Sequence, residues 1–240
     1  MIRRVEHVMG MPISLALRGR HAGDARGEAA WAAALAVLRA ADRTFSTYRA
    51  DSVISRINRG DLADTPPEIA EVLAIGAAAE RSSGGAFAVR RGGMLDPSGV
   101  VKGWAAERAA AALEALPDTD FCLSAGGDIT CRTADPTGRP WRIGIEDPWD
   151  PTKLVAVVPL RTGAIATSGS AHRGAHIVDA RTGRPPSGLA SVTVIGRSLT
   201  DVDVDATAAF ALGADGERWL AGRGHRAAFV VRADGTSGTL

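Results

Sequence analysis

The chain has 240 residues, 45% hydrophobic and 23% charged, with a net charge of +1 at neutral pH. That length suits one globular domain or two small ones sharing a core, and the interspersed acids and bases exclude a nucleic-acid surface and a polybasic membrane patch. No apolar run reaches the roughly 20 residues that span a bilayer. The opening MIRRVEHVMGMPISLAL has neither an unbroken apolar core nor a small-residue cleavage site, so a cytoplasmic protein without membrane insertion is expected. Cys122 and Cys131 match no zinc or redox spacing, and two buried free thiols are expected.

Residues 2–9 and 12–18 read as two strands joined at Gly10, with Ile13, Leu15 and Leu17 alternating. A polar loop then leads to a helix over 28–43, where Trp31, Leu35 and Leu38 recur at helical spacing. The segment 45–49 follows, with Ser46–Tyr48 read as a strand. Asp51-Ser52 caps a short helix over 53–58, and Pro66-Pro67 opens a third that ends at Ser82-Ser83-Gly84-Gly85. Residues 87–89 are strand-like, and 90–93 form a basic, flexible link. Asp96-Pro97-Ser98-Gly99 reads as a turn feeding an alanine-rich helix from Lys102 to about Leu116. Strands are expected over 121–124, 129–133, 141–145, 154–160, 164–167, 191–195 and 227–231, with short helices over 207–212 and 215–221. With no repeat and no long linker, residues 1–240 form a single domain of the α+β class, helices packed on a mostly antiparallel sheet.

Four stretches carry candidate chemistry. A glycine turn ahead of a helix presents N–H groups and a positive dipole end to phosphate, and Lys102 adds a point charge in the first turn. Thr167, Ser168 and Gly169 end a buried strand ahead of His176, a group whose ordinary pKa of about 6.5 suits proton transfer. A Ser168–His176–Asp179 triad is disfavoured, because no nucleophile elbow surrounds Ser168. Asp201, Asp203 and Asp205 would line one face of a strand. In a helix, Asp201 is an N-cap, and Asp203 and Thr207 lie one turn apart as hard oxygen ligands suited to Mg²⁺. Ala125-Gly126-Gly127-Asp128 reads as a hairpin turn.

Taken in order, these motifs resemble the ApbE family, the FAD:protein FMN transferases. The resemblance rests on Met9-Gly10, Phe45-Ser46-Thr47-Tyr48, Asp51-Ser52, Ile57-Asn58, Gly84-Gly85-Ala86-Phe87, Asp96 through Ala105, Ala125 through Asp128, Ala166 through Gly169, His176 through Asp179 with Thr182-Gly183, and Asp203 with Thr207. It implies an ApbE-like, T-fold-like architecture. It also implies Mg²⁺ held by Asp203, Thr207 and a carbonyl near Gly99, and FAD lying against Met9, Ser46, Thr47, Tyr48, Lys102, Ser168, His176 and Ile177. The implied reaction moves FMN from FAD to a threonine or serine hydroxyl of a target flavoprotein and releases AMP, with His176 serving as, or supporting, the general base. Hydrolysis of FAD to FMN and AMP, or FAD binding without catalysis, is the alternative.

The sequence departs from the family pattern in three places. Ala88 stands where the family usually has aspartate. The connection from Phe87 to Leu95 is several dozen residues shorter than usual. Ser170-Ala171-His172 stands where an aromatic residue often follows the Thr-Ser-Gly motif. A flavin site without its usual cap is expected; His172 could take part of the lost role, but an ordinary surface histidine is the expected reading.

Overall fold

A computed structural model describes residues 1–62, 66–170, 176–225 and 227–240. His172 lies outside the described residues, as do its neighbours Ala171 and Ala175.

The elements in chain order are β1 (Ile2–Val8), β2 (Met11–Gly19), α1 (Ala25–Phe45), α2 (Val53–Asn58), α3 (Pro67–Ser82), β3 (Arg90–Arg91), β4 (Met94–Leu95), α4 (Ser98–Glu114), β5 (Thr119–Ala125) and β6 (Asp128–Arg132). They continue as β7 (Trp141–Glu146), β8 (Leu154–Leu160), β9 (Thr162–Gly169), β10 (Leu189–Gly196), α5 (Leu199–Leu212), α6 (Gly216–Ala221), β11 (Ala227–Arg232) and β12 (Ser237–Thr239). Eight strands form one sheet in the order β1-β2-β5-β6-β9-β10-β11-β12, and every neighbouring pair is antiparallel. The class is α+β, helices on an antiparallel sheet.

The two faces of the sheet are covered differently. Along β2 and β5, Ile13, Leu15, Leu17, Phe121 and Leu123 are buried at alternate positions, as period-two side chains dictate. They pack with Trp31, Leu38, Ile69, Trp104 and Leu113 from α1, α3 and α4. The opposite face carries Cys122, Cys131, Ile129 and Ile165, and it is covered by the β7–β8 hairpin through Trp141, Ile143, Ile145 and Leu160.

Several boundaries differ from expectation for local reasons. Helix α4 begins four residues early. Pro97 is tolerated at a helix start, and the Asp96 carboxylate accepts from the Ser98 hydroxyl at 2.7 Å. Gly99 is therefore helical, with no side chain to collide with the Phe87 ring, which an added Cβ would meet at 3.0 Å. Residues 46–48 are not a strand. Ser46 ends α1, and its carbonyl accepts from the Ser52 hydroxyl at 2.6 Å, which folds the segment into a loop. Residues 90–93 are not a loose link either: β3 and β4 close a hairpin over Gly92 and Gly93. Their φ of +56° and +82° suit a two-residue turn that matches strand twist. The Asn58 amide holds β4, donating to the Leu95 carbonyl at 2.9 Å and accepting its N–H at 2.7 Å. The acidic run is helical, and its N-cap is Ser198, whose hydroxyl accepts from the Asp201 N–H; Asp201 itself lies in the first turn.

Candidate functional site

One end of the sheet gathers most of the motifs. The β1–β2 turn, at Met9 and Gly10, sits beside the β5–β6 turn, since the Gly126 N–H donates to the Pro12 carbonyl at 3.0 Å. Met9 adopts a φ of +56°, rare for a residue with a side chain and a strained conformation more often seen at functional positions. Antiparallel register brings the last residues of β9, Thr167 through Gly169, to the same end.

Asp128 starts β6 with only 1% of its surface exposed. One carboxylate oxygen accepts from the Thr167 N–H at 3.0 Å, and the other pairs with the Lys102 ammonium. The same ammonium lies 3.2 Å from Asp203 Oδ1 on α5, and Asp203 is also 1% exposed. Lys102 is thus in the second turn of α4, clasped between two carboxylates. Asp203 Oδ2 accepts the Gly103 N–H at 2.8 Å. An added Cβ at Gly103 would lie 2.8 Å from both Asp203 Cβ and the Leu199 carbonyl oxygen, so α4 and α5 can approach this closely only at glycine.

The charges do not balance. Burial pushes the Asp203 carboxyl up to about 7, helped by repulsion from Asp128 and opposed by Lys102 and the Gly103 N–H. Burial alone would lower the Lys102 pKa, but attraction to Asp203 and Asp128 outweighs it and the net direction is upward. With both carboxylates ionised, one ammonium would face two buried negative charges in a low-dielectric setting, which is why Asp203 holds its proton so strongly.

The donor set fits a hard cation. One turn along α5 from Asp203, Thr207 places its hydroxyl 3.0 Å from the buried Ser168 hydroxyl. A hydroxyl that gives a lone pair to a cation must donate its proton elsewhere, and Ser168 is placed to receive it. In a regular helix the Gly103 N–H would close on the Gly99 carbonyl. Here it points at Asp203, so the carbonyl has at best a shared donor. Gly99 and Thr207 are close, since an added Gly99 Cβ would lie 3.9 Å from Thr207 Cγ2. Among the described residues there is no group of three His, Cys, Asp or Glu side chains able to hold a metal. The set consists of one or two carboxylates, a hydroxyl and a carbonyl, the oxygen mixture that Mg²⁺ takes alongside substrate phosphates.

The remaining residues are arranged more loosely. Ser46 is partly buried, Thr47 is exposed and Tyr48 is 99% exposed on the loop after α1. His176 is exposed at the start of the 176–185 segment, and Ile177 packs against the main core. That segment is tied down where the Ala180 N–H meets the Ala86 carbonyl at 3.0 Å. The Ser168–His176–Asp179 triad does not form: Ser168 pairs with Thr207, and Asp179 is engaged by Arg181 at 2.7 Å. Sequence reasoning missed Asp128 as a site residue. Its one signal was an acid directly after a glycine pair, which is also ordinary hairpin chemistry.

Comparison with known proteins places this geometry in a lineage. The ApbE family model matches residues 9–94 and 88–230, two stretches that overlap at the β3–β4 hairpin. The FAD:protein FMN transferase of Escherichia coli K12 is 32% identical over 153 residues, covering 60% of this chain. The chain spans under half of that relative, 44% of its length. The Haemophilus influenzae transferase is 26% identical over 267 aligned positions that cover 83% of this chain and 77% of the relative. An alignment longer than the chain it covers means that several dozen positions of that relative have no counterpart here. The ApbE protein of Thermotoga maritima superposes with a TM-score of 0.84 at 21% identity, covering 99% of this chain and 96% of its own. The flavinyl transferase ApbE of Pseudomonas stutzeri gives 0.83 at 23% identity, covering 99% and 94%. With matched stretches running through nearly all of its elements and the same fold in those structures, the chain belongs to the ApbE family.

Proposed function

We propose that this chain is a Mg²⁺-dependent FAD:protein FMN transferase, moving FMN from FAD to a threonine or serine hydroxyl of a partner flavoprotein with release of AMP. The observation that carries the proposal is the pairing of Lys102 with Asp128 and Asp203, drawn from three separate segments, two carboxyl groups to one ammonium. The names of the relatives supply the transfer of FMN from FAD to a protein. Asp203, Thr207 and the Gly99 carbonyl would hold Mg²⁺, with Ser168 orienting Thr207. When bound, the metal would neutralise charge on the diphosphate as AMP departs. Lys102 adds positive field at that point, and Asp128 fixes where its ammonium sits. Met9, Ser46, Thr47, Tyr48 and Ile177 would line the flavin dinucleotide. His176, exposed where an acceptor can reach it, would take the proton from the incoming hydroxyl.

The test is incubation with FAD, Mg²⁺ and the acceptor domain of a related flavoprotein, read by in-gel flavin fluorescence and AMP release. Covalent flavin that disappears in Asp203→Ala supports the proposal. Absence of both transfer and a Mg²⁺-dependent thermal shift with FAD would overturn it. The two-residue β3–β4 turn favours a second reading, hydrolysis of FAD to FMN and AMP at an uncapped site. AMP release without covalent flavin would select that reading.

A further inference from the structure

The second face of the sheet carries a feature unconnected with flavin chemistry. Cys122 on β5 and Cys131 on β6 are direct cross-strand partners. Neither is in a disulfide, and both belong to the apolar cluster under the β7–β8 hairpin. Their pairing type follows from the turn. β5 and β6 are joined by Gly126 and Gly127, with φ of +58° and +101°, and the strands close at the Ala125–Asp128 pair. In a two-residue hairpin the closing pair is hydrogen-bonded, and the types then alternate. Ser124–Ile129 is a non-hydrogen-bonded pair, Leu123–Thr130 is hydrogen-bonded, and Cys122–Cys131 is non-hydrogen-bonded. Such partners have Cα atoms about 4.5 Å apart with side chains converging on one face, inside the roughly 4.4–6.8 Å window that a disulfide requires.

The surroundings leave room for the bond. On the far side of Cys122, β2 presents Ala16, and on the far side of Cys131, β9 presents Gly163. The row across the sheet is therefore Ala16, Cys122, Cys131, Gly163, with only an alanine and a glycine beside the cysteines in that row. Cys131 Sγ lies 3.8 Å from the Leu160 carbonyl of the covering hairpin, a weak contact. Cys131 is 2% exposed, whereas Cys122 is only partly covered.

We propose that Cys122 and Cys131 are a thiol modification site, converted by a hydroperoxide into an intrachain cross-strand disulfide. The more accessible Cys122 reacts first. Its sulfur attacks a peroxide oxygen, the O–O bond breaks, and a sulfenic acid and one water form. Cys131 then attacks that sulfur, the S–S bond forms, the S–O bond breaks, and a second water leaves. Two thiols together lose two electrons and two protons, and hydrogen peroxide is reduced to two waters. Burial pushes the Cys122 thiol up to about 11 despite the pull of Arg18 and Arg3, so the first step is slow at neutral pH.

The experiment treats the full chain with hydrogen peroxide at mildly alkaline pH, then denatures it, counts thiols with a maleimide and maps peptides. Both thiols are expected to vanish together in the monomer, to yield one peptide linking residues 122 and 131, and to return with dithiothreitol. In Cys131→Ser the sulfenic acid has no partner, and dimedone should label Cys122 there but not in the wild type. Retention of both thiols, cross-links between copies, or oxidation that dithiothreitol does not reverse would each overturn the proposal. The outcome is independent of whether the chain transfers FMN, since no flavin or Mg²⁺ enters the assay.

Discussion

Asp203 and Asp205 lie two residues apart on α5, and each is 1% exposed, yet their surroundings are opposite. Asp205 is saturated. Arg223 reaches it with Nε at 2.7 Å and Nη2 at 3.0 Å, and His225 Nε2 lies 2.6 Å away. Arg223 is itself braced over the Trp219 ring at 4.9 Å. This cluster ties α5 to the segment after α6, with both carboxylate oxygens engaged by cationic or histidine partners. Asp203 has one backbone N–H and half a claim on an ammonium. Buried charge that is fully paired fastens the fold, and buried charge left short of partners marks a place for a ligand.

The comparison can be broken by exchanging the two roles. Asp203→Ala should lower flavin transfer by about 10²–10³-fold or more, and it should abolish the Mg²⁺-dependent thermal shift while the far-UV dichroism stays native. Asp205→Ala should do the reverse. Urea unfolding is expected to show a loss of about 2–4 kcal/mol, discounted because Arg223 is partly exposed, with transfer per folded molecule nearly unchanged. If Asp205→Ala removes activity without loss of stability, the division between the two carboxylates is wrong. Gly103→Ala probes the contact beside Asp203. Its Cβ would crowd the Asp203 side chain and the Leu199 carbonyl, so a cost of about 1–3 kcal/mol is expected, together with weaker metal binding.

Smaller effects sharpen the contrast. In the folded chain the Asp203 carboxyl is held near 7, above its ordinary value of 3.8. Its contribution to stability is therefore complete below about pH 4 and is lost as pH rises through about 7. Without metal, urea midpoints should fall across this window with a slope of at most about 1.4 kcal/mol per pH unit. Asp203→Asn should flatten that slope. Ser168→Ala removes the hydroxyl placed to accept the Thr207 proton when Thr207 holds a cation, and a loss of about 10-fold in Mg²⁺ affinity is expected from titration calorimetry with FAD present.

Much of this was readable from residue patterns. The alternation of Ile13, Leu15 and Leu17 gave β2 and its buried face, and Asp51-Ser52 gave the start of α2, where the Ser52 hydroxyl accepts from the Ser55 N–H. Such signals are local, resting on side-chain period and capping. The start of α4 was hidden because Pro97 and Gly99, usual marks of a turn, are both compatible with a first helical turn when the Asp96 carboxylate accepts from the Ser98 hydroxyl and Phe87 packs against the glycine. The loop at 46–48 looked like a strand from its Thr and Tyr, but the Ser52 hydroxyl at the Ser46 carbonyl decides otherwise. Asp128 was hidden for a different reason. Its partners lie on α4 and β9, and only the order of strands in the sheet brings β6 beside β9 and beneath α4.

The β3–β4 turn has an engineering consequence. The polypeptide closes between β3 and β4 through two glycines, and Asn58 holds Leu95 of β4 just beyond them. Because the entropy of closing a flexible excursion grows only with the logarithm of its length, Gly92–Gly93 is a natural splice point. Foreign sequence could be inserted there while the packing beneath stays as it is.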